Sequence, residues 1–176
     1  MSARSLLAFA LTTVAVAGCA VPDENRVTVL QAPDYDQFKG VAVDGALQPA
    51  GVSRLLERRC ATLDCHGQVS RPMRIYGQYG LRLVQDGSVR PGGVQPTTAD
   101  EYQANYESVI GLQPEMMSLV ATGVNAPEAL MLLRKPLQLE RHKGGAVFET
   151  GDDAYQCIAT WLKGHVDFAA CDRSLQ

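Results

Sequence analysis

The sequence is poor in histidine and in aromatic residues, and it carries no excess of basic residues. It has three histidines and one tryptophan among 176 residues, and its formal charge is −3 at pH 7. A chain without a basic excess has little means of attracting nucleic acid. No nucleophile stands beside a general base, and the carboxylates do not cluster along the sequence. We therefore expect no enzyme activity, no small-molecule substrate and no nucleic-acid partner.

Long apolar runs are also missing after the first twenty residues, so the sequence predicts no membrane-spanning segment there. The early run from Leu6 to Ala17 follows Arg4 and is too short to span a bilayer. It predicts a secretory signal peptide over residues 1–18. The letters VAGC resemble a bacterial lipobox, which predicts cleavage before Cys19 and lipidation of that cysteine. The alternative is an ordinary signal peptide cut elsewhere. We expect an exported protein of the periplasm or cell envelope, lipid-anchored to the inner or outer membrane.

The remaining chain divides into a tether and one domain. Residues 19–49 hold prolines, acids and scattered apolar groups, which predicts a lipidated N-terminus followed by a loose tether. Residues 50–176 are long enough for one domain with its own core. A first helix is predicted around Leu55 and Leu56, with Ser53 as its N-cap.

Further helix signals predict an all-α, mainly helical domain. Thr98 and Glu101 form a capping box, and Tyr102, Tyr106, Val109 and Ile110 predict the buried stripe of that helix. Pro114 and Pro127 each open a helix, and the last helix runs from Asp152 or Asp153 to Gly164. Between residues 70 and 96, Gly and Pro break the β-prone pieces, which predicts a long irregular insertion. It includes a small hairpin of residues 74–76 against 81–83.

The densest chemical signal is the stretch RRCATLDCHGQ, which contains Cys60, Cys65 and His66. Three alternatives compete for it: a disulfide, a zinc site and a covalent haem attachment site. A Cys60–Cys65 disulfide gives His66 no role, and its small loop would stabilise only modestly. Structural zinc sites usually have a second close pair of ligands, and no such pair follows.

The haem alternative uses all three residues. In c-type attachment, two cysteine thiols bond the porphyrin and the histidine after the second cysteine binds the iron. The usual spacing is C-x-x-C-H, whereas four residues separate the cysteines here. We expect one haem c, with Cys60 and Cys65 as its attachment sites and His66 as the proximal iron ligand.

CATLDCHGQ resembles the attachment segment of c-type cytochromes in a longer-spaced variant. The stretch from LLRKP to TWLKG is similar to the C-terminal half of small cytochrome-c-like domains in secreted planctomycete and myxobacterial proteins. The resemblance covers under a third of the chain. It implies a helical fold in which the helix before the motif crosses the helix that contains Trp161.

The second axial ligand is the least determined part of the site. His142 is followed by Gly144 and Gly145, which allow backbone to pass close to a flat ring, and the resembling domains carry a histidine followed by glycines at this position. We expect His142 as the distal ligand. Met131, Met116 and Met117 are alternatives, although methionines at helical spacing are usually core, and an open position is another.

Four more residues have predicted roles. Leu56 and Trp161 are expected to pack against the haem, although ordinary core packing suits Trp161 equally well. Cys157 and Cys171 are expected to form a disulfide, with a reactive redox pair as the alternative.

The predicted function is a lipid-anchored electron carrier that passes one electron to a transient redox partner. Two alternatives stay open at this point. One is a haem enzyme or gas sensor with an open sixth position, and the other is a haem-free, disulfide-stapled lipoprotein that acts as a structural or interaction module.

Overall fold

The structure is a computed structural model that describes residues 31–78, 80–84 and 88–176. It confirms a mainly helical architecture with one two-stranded hairpin. None of the helices in these ranges is long and apolar enough to cross a membrane, and the predicted signal peptide and Cys19 lie outside them. The helices are α1 (Tyr35–Lys39), α2 (Val52–Cys60), α3 (Ala99–Ile110), α4 (Pro114–Ala121), α5 (Met131–Arg134), α6 (Asp153–Leu162) and α7 (Phe168–Arg173), and the strands are β1 (Leu81–Leu83) and β2 (Val89–Pro91).

The domain begins earlier than predicted, because α1 lies inside the segment expected to be a tether. Asp34 caps α1 by accepting a hydrogen bond from the Gln37 amide at 2.7 Å. Phe38 is fully buried and packs against Trp161, with 5.2 Å between ring centroids. The tether prediction is therefore wrong for the part that begins at residue 34, since the acids and the aromatic residue there cap and anchor a helix.

Helix α2 buries Val52, Leu55 and Leu56 and packs against α6. Its N-cap is Gly51, so the predicted Ser53 cap is wrong. A Cβ at Gly51 would lie 2.4 Å from the Gly40 nitrogen, and only glycine permits this approach. Ser53 instead lies inside the helix and is buried.

The predicted insertion packs against one polar face of α3. Glu101, Asn105 and Ser108 lie on one side of that helix because they are spaced four and three residues apart. The Ser108 hydroxyl accepts from the Arg74 amide at 2.7 Å. The Asn105 side chain accepts from the Tyr76 amide at 2.6 Å and donates to the Tyr76 carbonyl at 2.8 Å.

These bonds explain why the predicted hairpin is wrong in its pairing. The backbone of Tyr76 is already occupied by Asn105, so it makes only an isolated bridge to Leu81. Strand β1 pairs antiparallel with β2, with Arg82 opposite Arg90. The strand predicted at residues 81–83 is confirmed, but its partner is residues 89–91 rather than 74–76.

The capping box of α3 is confirmed, but its predicted stripe is only partly right. Thr98 and Glu101 form both bonds of the box. The buried positions are Glu101, Asn105 and Val109, whereas Tyr102 and Tyr106 are half-buried. The buried face of α3 is polar because it supplies the hydrogen bonds that the insertion backbone needs.

The C-terminal half follows its helix signals with two changes. Helix α4 begins at Pro114 as predicted. The helix predicted from Pro127 is split, because Leu130 is extended between a 3-10 turn at Pro127–Ala129 and the short α5. Beyond Gly164, where the last predicted helix ends, the chain forms one more helix, α7.

The predicted disulfide between Cys157 and Cys171 is confirmed. It joins α6 to α7, and both cysteines are fully buried. Asp152 caps α6 by accepting from the Tyr155 amide, as the sequence predicts.

Two buried glutamates, Glu57 on α2 and Glu101 on α3, have opposite electrostatic surroundings. Glu101 accepts from Arg82 Nε and Nη2, each at 2.7 Å, and from the amides of Leu83 and Thr98. Burial alone would raise the pKa of Glu101, but these bonds outweigh it and the pKa lies below the ordinary 4.5. For Glu57, burial raises the pKa above 4.5 despite hydrogen bonds from Thr97 and Ser53.

We predict that Glu101→Gln lowers the free energy of unfolding at pH 7 by about 3 kcal/mol, because it leaves Arg82 without its buried partner. A carboxylate with a lowered pKa stabilises the fold above its unfolded pKa, and this contribution disappears on acidification. The difference between wild type and variant should therefore shrink as the pH falls below 4.5. Urea unfolding at several pH values measures it.

Glu57→Gln is the matched control. Because the pKa of Glu57 is raised, its ionisation costs stability as the pH rises above 4.5. At pH 7 this variant should be at least as stable as wild type. Equal losses in both variants would contradict the assignment of Arg82–Glu101 as the supporting pair.

Candidate functional site

The motif loop leaves the C-terminus of α2 and turns back on itself. The His66 amide donates to the Cys60 carbonyl at 2.9 Å, and the Gly67 amide donates to the Thr62 carbonyl at 3.0 Å. A Cβ at Gly67 would lie 2.3 Å from the Ala61 carbonyl oxygen, so this turn requires glycine. The four residues between the cysteines therefore form a compact turn that keeps His66 close to the end of α2.

Cys60 and Cys65 are free thiols in the structure and are not joined as a disulfide. Cys60 is 8% exposed, whereas Cys65 is half-buried. Burial, with a smaller contribution from the nearby Cys65 thiol, raises the pKa of Cys60 to about 12. Cys65 is therefore the more accessible and the more reactive of the two thiols in this fold.

Backbone groups of the insertion hold both the ring and the main chain of His66. Its Nδ1 lies 2.9 Å from the Met73 carbonyl oxygen, and the Ile75 amide donates to the His66 carbonyl at 3.0 Å. Because a carbonyl only accepts, Nδ1 carries the proton and Nε2 keeps its lone pair. Burial lowers the pKa of His66, which favours the neutral imidazole that a metal requires.

His142 is held in the same way by a different segment. Its Nδ1 lies 2.8 Å from the Gly145 carbonyl oxygen, which again leaves Nε2 with a lone pair. A Cβ at Gly144 would lie 3.0 Å from His142 Cε1, so the glycine lets the ring pack directly on the backbone. The two glycines seen in the sequence therefore position the histidine itself.

The fold brings these two imidazoles together although 76 positions separate them. Their ring centroids are 6.4 Å apart, and their planes differ by 17°. An imidazole nitrogen lies about 2 Å from the metal it binds, so one ion held between two rings separates the ring centres by roughly 6 Å. The measured separation of the two ring centres is close to this value.

The alternative axial ligands have other surroundings. Met117 is almost fully buried in the core. The Met116 sulfur accepts a hydrogen bond from Asn125 at 3.2 Å. Met131 is half-buried at the start of α5, where its amide donates to Gln113.

Leu56 and Trp161, predicted to cover a haem, are both buried in the main core. The Trp161 indole N–H donates to the Asp34 carbonyl at 2.8 Å, so it has no bond to offer a propionate. The contacts of Trp161 therefore support its assignment to ordinary core packing.

Two further observations bear on the competing alternatives. In the described ranges, no three His, Cys, Asp or Glu side chains converge as a metal site, so the zinc alternative lacks a ligand set there. A cleft of about 240 Å³ lies beside α2 and includes Arg54, Arg58 and Gln78 in its lining. Neither histidine contributes to that cleft.

The Met73 carbonyl is the site component that the sequence reasoning missed. The carbonyl of Met73 orients His66 because the insertion folds back onto the motif loop. The polar spacing of Glu101, Asn105 and Ser108 on one helix face is the signal that could have predicted this packing.

We predict that the two thiols differ in reactivity in the folded, unmodified protein. At pH 8, iodoacetamide should alkylate Cys65 at least about tenfold faster than Cys60, because the buried Cys60 rarely forms a thiolate. Peptide mass spectrometry over time gives both rates. Under denaturing conditions the two rates should converge, and equal rates in the folded protein would contradict the burial of Cys60.

Comparison with family models, with curated proteins and with solved structures finds no match for this chain. No relative therefore lends it an activity, a cofactor or a partner. What the protein does has to be inferred from its own side chains, above all from two free cysteines and a facing pair of histidines.

Proposed function

We propose that this protein is an electron carrier of the c-type cytochrome kind, with one covalently attached haem. The observation that carries the proposal is the pair of nearly parallel imidazoles of His66 and His142, 6.4 Å apart, next to two free thiols. When bound, the haem iron would supply reversible one-electron chemistry.

Each motif residue then has one role. Cys60, at the end of α2, and Cys65, on the turn, would provide the two sulfurs of attachment. His66 directly follows Cys65 and offers Nε2 to the iron. The Met73 carbonyl fixes its tautomer and orientation, as an outer-shell hydrogen bond commonly does for a metal-binding histidine.

His142 would supply the second protein ligand of the iron. Its ring is oriented by the Gly145 carbonyl and backed by Gly144. Two imidazole ligands would leave no coordination position for gas or substrate, which favours electron transfer over a haem enzyme or sensor. They also give a lower reduction potential than a His–Met pair, because thioether ligation raises it.

We further propose that the carrier is exported and anchored through a lipid on Cys19, so that it meets transient redox partners at a membrane surface. Tethering raises the effective concentration of the carrier near such partners. The domain already includes Asp34, the N-cap of α1. Fewer residues therefore separate the proposed anchor from the domain than the sequence analysis predicts.

The attachment is tested on protein produced with cytochrome c maturation in a bacterial envelope. We expect the intact mass to rise by one haem, and Cys60→Ala and Cys65→Ala should each remove one thioether bond and shift the reduced absorption bands. The disulfide variant Cys157→Ala, Cys171→Ala is the matched control and should keep the haem. A colourless chain of unmodified mass would contradict the haem proposal. It would favour the alternative, a haem-free lipoprotein module stabilised by the Cys157–Cys171 disulfide.

The axial pair is tested with His142→Ala against His165→Ala. His165 is exposed and serves as the matched histidine deletion. We expect the reduced wild type and His165→Ala to bind no carbon monoxide at neutral pH, whereas His142→Ala should bind it because one coordination position opens. Carbon monoxide binding by wild type would favour an open sixth position and a sensor or enzyme instead.

A further inference from the structure

The cleft of about 240 Å³ beside α2 has no role in the proposed electron transfer. None of its lining residues is a cysteine or a histidine, so it is separate from the candidate haem site. Its volume is several times the roughly 30 Å³ that one water molecule occupies. It is also below the roughly 300 Å³ at which cavities for drug-sized ligands begin. The cleft therefore has the size for a small molecule.

Helix α2 and the C-terminal residues form two walls of the cleft. Arg54 and Arg58 line it from α2, and they lie on one face of that helix because they are four residues apart. Leu175 adds apolar surface from the segment that follows α7. This segment is held against α2, because the Arg59 guanidinium donates to the Ser174 carbonyl at 2.8 Å.

The insertion forms the remaining wall and approaches α2 closely. A Cβ at Gly80 would lie 2.7 Å from the Ala61 carbonyl oxygen, so only glycine permits this approach. Gln78 also lines the cleft, and its side-chain amide donates to the Val94 carbonyl at 2.8 Å. The three walls are therefore positioned by contacts within the protein itself.

The two arginines of the cleft are weakly engaged by other residues. Arg58 is exposed and pairs with no acid in the ranges that the structure describes. Arg54 makes only long contacts, at 3.4 Å to the Gln78 side-chain oxygen and at 3.8 Å to Glu57. Their guanidinium groups are therefore available to a ligand.

Glu57 is the only acid among the described residues that line the cleft. Its carboxyl group already accepts hydrogen bonds from Thr97 at 2.5 Å and from Ser53 at 3.0 Å. The side chain is only 3% exposed, and burial raises its pKa. Glu57 therefore leaves most of the positive charge of the cleft uncompensated, which favours an anionic ligand.

We infer that this cleft binds a small organic dicarboxylate, with Arg54 and Arg58 each holding one carboxylate. Side chains four residues apart on a helix have Cβ atoms roughly 5–6 Å apart, which suits two carboxylates on a short carbon chain. The fork of a guanidinium matches the two oxygens of a carboxylate. Thr62 also lines the cleft and offers a hydroxyl donor. Apolar surface of Ala61 and Leu175 would cover the carbon chain.

The inference is tested by calorimetric titration of the full mature protein with succinate, malate and glutarate. The buffer contains no other carboxylate and no phosphate, and acetate is the matched control ligand. We expect at least one dicarboxylate to bind with one molecule per chain. Acetate should bind at least about tenfold more weakly, because it engages only one guanidinium.

Arginine variants decide whether binding depends on this cleft. Arg54→Ala and Arg58→Ala should each weaken dicarboxylate binding by about tenfold or more. Arg141→Ala removes an exposed arginine that does not line the cleft and should change the dissociation constant by about twofold or less. Arg58→Lys keeps the charge but loses the fork, so it should retain only part of the affinity. Circular dichroism checks that each variant is folded.

The absence of binding by all three dicarboxylates would overturn the inference, as would equal weakening by Arg58→Ala and Arg141→Ala. Tighter binding of glycerol phosphate than of any dicarboxylate would also overturn it, since the cleft would then be a phosphate site. The intact mass of the same samples reports haem attachment separately. Dicarboxylate binding and the proposed electron transfer can therefore fail independently of each other.

Discussion

The hydrogen bond between His66 and the Met73 carbonyl, 2.9 Å long, is the constraint on which the site depends. Met73 can hold His66 only because the following segment is itself held against α3. Asn105 binds both backbone groups of Tyr76, and Glu101 binds Arg82 and the Leu83 amide. The insertion therefore makes the orientation of His66 depend on its packing against α3.

His142 is oriented by a local device instead. Its carbonyl partner lies three residues away, and the glycine between them lets the ring rest on its own backbone. The orientation of His66 therefore depends on long-range packing, and that of His142 on a short loop. In both rings, Nδ1 is bonded to a backbone carbonyl. With Nδ1 bonded in each ring, the two Nε2 lone pairs remain for one metal ion. This shared pattern is the strongest physical support for the proposed carrier.

Local signals in the sequence predicted much of the helical fold. The Thr98–Glu101 capping box, Pro114 at the start of α4 and the Asp152 cap act within one turn of chain, so neighbouring residues alone specify them. Predictions that needed distant partners were less accurate. The residues around Ser53 favour an N-cap at that position. Gly40 approaches Gly51 closely, however, and Gly51 is the N-cap of the helix. The hairpin was paired wrongly because Asn105, nearly thirty residues away, takes the hydrogen bonds of Tyr76.

By itself the sequence determined that Cys60, Cys65 and His66 lie on one short turn, because adjacency along the chain needs no folding to bring them close. It also predicted the pairing of Cys157 with Cys171, because assigning Cys60 and Cys65 to haem attachment leaves these two cysteines as the remaining pair. Only the tertiary structure decided that His142 faces His66, that both cysteines of the motif are free, and that Trp161 serves the core. These depend on contacts between residues far apart in the chain, which neither spacing nor composition specifies.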